Sequence, residues 1–384
     1  MLAAKDRASR FLGWATGVLM LVACPTGLAA QDVRSGGPEI DKRDATELLR
    51  THREEGEAVL ALADNAMAGK SVPEEIDVQW QNDFVKAQRG TFVPFTLSID
   101  GSTLTRPAVL VYVRARRRQG RDRAGTDDRR RGSQERETDA PDATSYAVDA
   151  IFPVELDASP GRVARVSRGF AVVPGDYEVF VVLRERVAPG ASRARPKASV
   201  LRRALNVPDF WSNEFTTSSV MVADRLSTLP APVPSDQLPE RPYVIGRNEI
   251  TPAADRAFRR SEELIVVFLV YNPMITTERQ FDVKVEYHFF RKVGKAALNG
   301  PAGEGLAHSS ARAGEQYFNH TEPQRFNPAL MGAAFDPASG EPVLAGQVVP
   351  LGGFEEGEYR LELQVFDLLS GKSLSRDVVF TVQP

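Results

Sequence analysis

From Ile76 to its end the chain is patterned with a period of two. Ile76, Val78 and Trp80 alternate with Asp77 and Gln79, which sends successive side chains to opposite faces of a strand. Residues 92–99 and 108–113 are rich in β-branched side chains, and further strands are expected at 146–156, 163–173, 177–184, 200–207 and 215–223. Short strands punctuated by Pro and Gly, with no helical pattern between them, build antiparallel sandwiches. A parallel sheet would need crossover helices. A second set begins at 263–271, whose unbroken apolar run suits a strand buried on both faces. Phe281, Val283, Val285, Tyr287 and Phe289 then alternate with Asp282, Lys284, Glu286 and His288 as in a half-buried strand, and strands at 342–349, 359–367 and 373–382 complete the set.

The N-terminal stretch has a different period. Asp44 and Glu47 have capping-box spacing, and Leu48, Leu49, His52, Val59, Leu62, Ala63 and Ala66 recur helically until Gly69 and Pro73 stop them. One helix over about 44–68 is expected, packed on the domain behind it. Ahead of it lie Lys5, Arg7 and Arg10, an apolar run over 11–23, and the small-residue stretch Gly27-Leu28-Ala29-Ala30. Thirteen residues are too few for a membrane span but suit a secretory signal cleaved after Ala30. Leu21-Val22-Ala23-Cys24 also resembles a bacterial lipobox, so Cys24 is a candidate lipidation site. Export to the periplasm or the outside is therefore expected, with an outer-membrane lipoprotein as the alternative.

Two stretches interrupt the strands. Residues 114–142 hold ten Arg against seven Asp and Glu without an aromatic or β-branched aliphatic residue, a composition that cannot bury enough surface to order itself. A disordered charged insert is expected over 114–144. Prolines 230, 232, 234, 239 and 242 mark an extended linker. The expected fold is mainly β: two immunoglobulin-like antiparallel β-sandwich domains preceded by a signal peptide and one short helix. The expected division is signal peptide 1–30, lead-in and helix 31–73, first sandwich 74–226, linker 227–242 and second sandwich 243–384.

Val173-Pro174-Gly175-Asp176-Tyr177-Glu178-Val179-Phe180-Val181 is echoed by Glu356-Gly357-Glu358-Tyr359-Arg360-Leu361-Glu362-Leu363, each with Gly two before a Tyr that opens an alternating strand. That context resembles the tyrosine corner of immunoglobulin-like sandwiches. Asn206-Val207-Pro208-Asp209-Phe210, the strand from Phe215, Tyr243-Val244-Ile245-Gly246 and the run from Glu263 to Asn272 resemble sandwich regions of uncharacterised exported bacterial proteins. These include the immunoglobulin-like or fibronectin type III-like kind that accompanies von Willebrand factor A-like or GWxTD domains. The chain carries neither a Gly-Trp-x-Thr-Asp nor an Asp-x-Ser-x-Ser motif. The resemblance implies fold and export, and no site residue.

Composition narrows the chemistry. The 384 residues carry 48 Lys and Arg against 51 Asp and Glu, a net charge of −3 that excludes a global basic field for nucleic acid. The single Cys excludes a disulfide framework and a cysteine-based zinc site. Nucleophile-elbow, phosphate-loop, dinucleotide and His-Glu-x-x-His motifs are all missing from the sequence. His52, His288, His308 and His320 show no ligand spacing and are expected at the surface. No catalytic residue, cofactor site or metal ligand is therefore expected. Trp80, Trp211 and Tyr271 are possible sugar-stacking platforms, with Trp211, in the polar turn 209–213, the strongest of them. The expected role is non-enzymatic, a contact with another envelope or secreted protein. The membrane is reached only through a lipid on Cys24. Carbohydrate binding or processing on the same scaffold, through Trp211 and nearby acids, is the alternative.

Overall fold

Alternation along the chain produces twenty strands in a computed structural model that describes residues 53–118, 146–157, 162–186, 195–293, 310–332 and 335–384. The expected signal segment, Cys24, the first turns of the expected helix, His52, His308 and most of the expected insert lie outside the described residues.

In the first sandwich, β3 (Gly90–Asp100) pairs along one edge with β6 (Val163–Val172). Its other edge is shared by β1 (Val78–Asn82) and β2 (Val85–Ala87). The facing sheet has the order β5 (Val148–Glu155), β4 (Ala108–Arg117), β7 (Gly175–Glu185), β8 (Ala198–Val207). Inward-facing side chains such as Phe95, Leu97, Val111, Val179 and Val181 meet between the sheets as one buried core.

The second sandwich repeats this plan. β14 (Glu263–Tyr271) lies between β10 (Met221–Thr228) and β18 (Val343–Pro350), and β9 (Thr216–Thr217) also pairs with β14. The hairpin of β11 (Val244–Ile245) and β12 (Asn248–Pro252) widens this sheet beyond β10. The facing sheet runs from β13 (Ala257–Arg259) through β20 (Lys372–Gln383) and β19 (Gly357–Asp367) to β15 (Val283–Lys292). On the far edge of β15 lie β16 (Glu315–His320) and β17 (Gln324–Phe326).

Both expected tyrosine corners form. Tyr177 Oη donates to Val173 O at 2.9 Å and Tyr359 Oη donates to Glu355 O at 2.8 Å. Beside them, Gly175 (φ +142°) and Gly357 (φ +148°) occupy backbone that side chains rarely adopt. A guanidinium crosses each: Arg117 donates to Pro174 O at 3.1 Å and Arg291 to Glu356 O at 2.8 Å. Eight residues past each tyrosine a buried carboxylate clamps two loops. Glu185 accepts from Thr105 and from the Lys197 N–H, and Asp367 accepts from the Met274, Leu369 and Ser370 N–H groups.

Two boundaries differ from expectation. Strand β4 continues through Arg114, Ala115, Arg116 and Arg117, so an insert starting at 114 is corrected. These arginines stay in the sheet because each has a partner: Asp64 for Arg114, Glu178 for Arg116 and the turn carbonyl for Arg117. The stretch 215–223, expected as one strand of the first sandwich, is split into β9 and β10. Both pair with β14 of the second sandwich, along the edge opposite β18, and so complete the hydrogen bonding of that edge. The Pro-rich stretch is packed: Pro239 O accepts the Gly169 N–H at 3.0 Å and Leu238 is buried.

The described part of the helix, α1 (Arg53–Met67), lays Val59, Ala63 and Ala66 on Leu110, Tyr112, Ile151, Phe180, Val182 and Val200, the outer face of the β5–β4–β7–β8 sheet. No helix among the described residues is long and apolar enough to cross a membrane.

Candidate functional site

The seam between the sandwiches follows from the double-sided apolar run of β14. Leu264, Val266, Phe268 and Val270 face the sandwich core, while Ile265, Val267, Leu269 and Tyr271 face outward into a second cluster. That cluster takes in Phe210, Met221, Ala223, Tyr243 and, from the first sandwich, Phe84 and Val85. Backbone bonds stitch the seam as well. Phe84 N–H donates to Ser219 Oγ at 2.9 Å, Ser219 N–H to Phe84 O at 3.0 Å, and Lys86 N–H to Tyr271 Oη at 3.0 Å.

Asp83, in the turn between β1 and β2, is buried in this seam. Burial pushes its carboxyl up to about 7, against the pull of the Arg256 charge.

Trp211 sits at the mouth of the seam, in the segment leaving β8. Asp209 Oδ1 accepts the Trp211 N–H at 2.8 Å and shapes the turn, after which Asn213 takes a left-handed φ of 58°. Asn272, also left-handed, donates to Glu214 O at 2.9 Å and holds the same segment from the other sandwich. The indole Nε1 donates to Ala87 O at 3.0 Å and Gly90 O at 3.3 Å, which fixes the ring. Lys86 Nζ lies 4.3 Å from the Trp211 ring centroid and 5.9 Å from that of Tyr271. Burial lowers the Lys86 ammonium pKa, with Asp209 pulling the other way.

Of the three candidate platforms, Trp211 alone keeps an open surface, 46% exposed. Trp80 is stacked on Phe95 at 4.2 Å and its Nε1 donates to Asn82. Tyr271 is buried against Phe210, 5.1 Å between centroids. The structure thus brings Trp211 and Tyr271 together around Lys86 and leaves Trp80 in the first core. Lys86 was not singled out from sequence, where it is one lysine in an alternating strand; its proximity to Trp211 arises only through the seam. Beneath the ring is a cavity of about 140 Å³ lined mainly by apolar side chains, and beside it a groove of about 590 Å³.

His288 departs from expectation. It is buried on the outer face of β15, opposite His320 across the pairing with β16. Its Nε2 is 3.3 Å from Glu286, and Tyr317 Oη is 2.8 Å from His320 Nδ1. Among the described residues no three ligating side chains converge as a metal centre.

No protein-family model matches the chain and no curated protein matches it. Among solved structures, Escherichia coli alpha-2-macroglobulin activated by porcine elastase is similar over 81% of this chain and 35% of that chain, with 11% identity and a TM-score of 0.21. The native conformation of the same protein is similar over 81% of this chain and 16% of that chain, with 11% identity and a TM-score of 0.20. The chain therefore spans about a third of the first and a sixth of the second, at a likeness too low to specify a shared fold.

Proposed function

We propose that this chain is an exported, non-enzymatic two-sandwich protein that contacts another envelope or secreted protein through the seam between its sandwiches. The observation that carries this reading is the half-exposed Trp211, fixed by its indole N–H at the mouth of an apolar cavity and flanked by the Lys86 ammonium. A large aromatic side chain held rigid beside a mainly apolar pocket is the kind of anchor that dominates binding energy at protein interfaces. The continuous apolar seam supports it too, since two sandwiches joined this way present the groove without an ordering cost. Export rests on the signal-like N-terminus, with lipidation at Cys24 as the alternative ending.

The test is affinity capture from the native cell envelope with the tagged mature chain, alongside a full-length Cys24→Ala control. A protein retained at moderate salt by the native chain and lost with Trp211→Ala is the expected result. The open indole face also favours a second reading, carbohydrate binding. Glycan-array binding that disappears in a folded Trp211→Ala variant would replace the first reading.

A further inference from the structure

Within the interaction reading, on which this step rests, the seam has a more specific chemistry. Val85, Ala87, Met221, Leu269, Tyr271 and Trp211 line the cavity of about 140 Å³. A cavity of roughly 150 Å³ holds a benzene-sized group. The adjoining groove of about 590 Å³ shares Lys86, Trp211, Tyr271 and Ser339 with that cavity and adds Asn213, Met274, Glu341, Asp367 and Ser370. Lys86 stands where the two meet.

The surroundings of this lysine are unusual for a cation. Its ammonium touches two aromatic rings and Asn272 Oδ1 at 3.5 Å. Among the described residues it forms no ion pair, and Asp209 acts on it only from beyond ion-pair distance. A half-buried ammonium with no ion pair among the described residues, beside an apolar pocket for one compact group, matches one arrangement of ligand atoms: a carboxylate and an apolar side chain on the same carbon. A polypeptide C-terminus ending in a bulky apolar residue has that arrangement, and backbone carboxylate capture is an established mode of peptide recognition. A free small acid would fill the cavity and leave the groove empty, whereas a chain end extends into it.

We propose that the seam is a recognition site for the C-terminus of a partner protein, with the last side chain in the cavity, the terminal carboxylate on Lys86 and the preceding residues in the groove.

The experiment uses the mature chain labelled with ¹⁵N, following the Trp211 indole N–H resonance. The probes are acetylated Gly-Ser-Gly-Phe with a free carboxylate, the same peptide amidated, acetylated Gly-Ser-Gly-Ala, and 3-phenylpropionate. A saturable shift with the free acid is expected, weakened about tenfold or more by amidation, by Phe to Ala in the peptide, and by Lys86→Gln in the protein, since a charge-assisted contact contributes roughly that much. Equal binding of acid and amide, or no saturable shift up to millimolar peptide, overturns the proposal. So does 3-phenylpropionate binding as tightly as the peptide, which would make this a small-acid site. If a captured partner is retained by Lys86→Gln, the interaction reading stands and this assignment of the site falls.

Discussion

Tyr112 and Phe180 in the first sandwich occupy the register positions that Glu286 and Glu362 hold in the second, five residues before the corner arginine and three after the corner tyrosine. Inward-facing neighbours at these heights are apolar in both, and the corners and loop-clamping carboxylates are the same. Only the outer faces part company. In the first sandwich the part of that face around Leu110, Tyr112, Phe180 and Val182 is apolar and lies beneath α1, while the Arg116–Glu178–Arg202 pairs beside it are ionic. In the second it is ionic: Arg360 reaches Glu315, Glu362 and Asp377, and its guanidinium lies 4.3 Å from the Phe290 ring centroid. Inner faces and corners thus define the sandwich, while the outer face answers to whatever covers it.

The sharpest way to break that comparison is to remove the cation from the ionic face. Arg360 is 3% exposed. Burial lowers its pKa, but the Glu315, Glu362 and Asp377 carboxylates outweigh burial and keep it charged. Among the described residues Arg360→Leu leaves the buried Glu362 with only Gln364, while Asp377 keeps Arg312 and Glu315 keeps the Arg312 N–H, and is expected to cost about 3 kcal/mol. Arg116→Leu in the first sandwich leaves Glu178 with Arg202 and half-exposed surroundings, so about 1 kcal/mol or less is expected. Urea unfolding, with hydrogen exchange across β19 and β20 for Arg360 and across β4 and β7 for Arg116, measures both; equal costs would mean that the two faces do not differ as described.

The apolar face has its own test. Val59 of α1 is fully buried against the sheet, and Val59→Ala should cost about 2 kcal/mol through lost burial and the cavity left behind. Hydrogen-exchange protection should fall in α1 and β7 while β15 and β19 keep theirs. Loss of protection in both sandwiches would show that the helix supports the whole chain.

A third measurement separates the faces from the seam by pH. Glu178 and Glu315 have pKa values held below the usual 4.5: burial raises that of Glu178 but Arg116 and Arg202 outweigh it, and Arg360 lowers that of Glu315. Both carboxylates are therefore ionised throughout pH 6–8. Asp83 goes the other way. Its folded value near 7 exceeds its usual 3.8, so the folded state holds a proton that the unfolded chain releases. Stability tied to Asp83 is complete at low pH and falls as pH rises through 7, by about 1.4 kcal/mol between pH 6 and 8. Asp83→Asn should remove that slope while every histidine remains in place. An unchanged slope would place the titration elsewhere.

What was legible in the sequence follows the same division. Strand positions, the both-faces burial of 263–271 and the two corners were readable because they are local: period two, or Gly two before Tyr. The limit of the first sandwich was not, since Thr216–Thr217 and Met221–Ala223 pair with an edge of β14 over forty residues away. Arg114, Arg116 and Arg117 belonged to a charge run until their partners on α1, β7 and the turn were known. His288 looked solvated because alternation assigns it to the polar face, which its cross-strand neighbours then bury. Trp211 was visible as an exposed aromatic in a polar turn. Lys86, which shares its site, became visible only with the seam.

The smallest expected effects test what the two sandwiches share. Tyr177→Phe and Tyr359→Phe each delete one hydroxyl and leave a backbone carbonyl without that donor, while ring packing is kept. A single neutral hydrogen bond contributes about 0.5–1.5 kcal/mol net, so each variant should lose about 1 kcal/mol. The two losses should agree, because each hydroxyl bonds the carbonyl four residues back and lies beside a glycine turn crossed by an arginine. The ionic face touches neither bond. Since the sites lie in different sandwiches, the double variant should cost the sum of the singles. Losses that differ by more than about 1 kcal/mol would show that the outer face reaches the corner after all, through Glu178 or Arg360, each the residue next to its tyrosine.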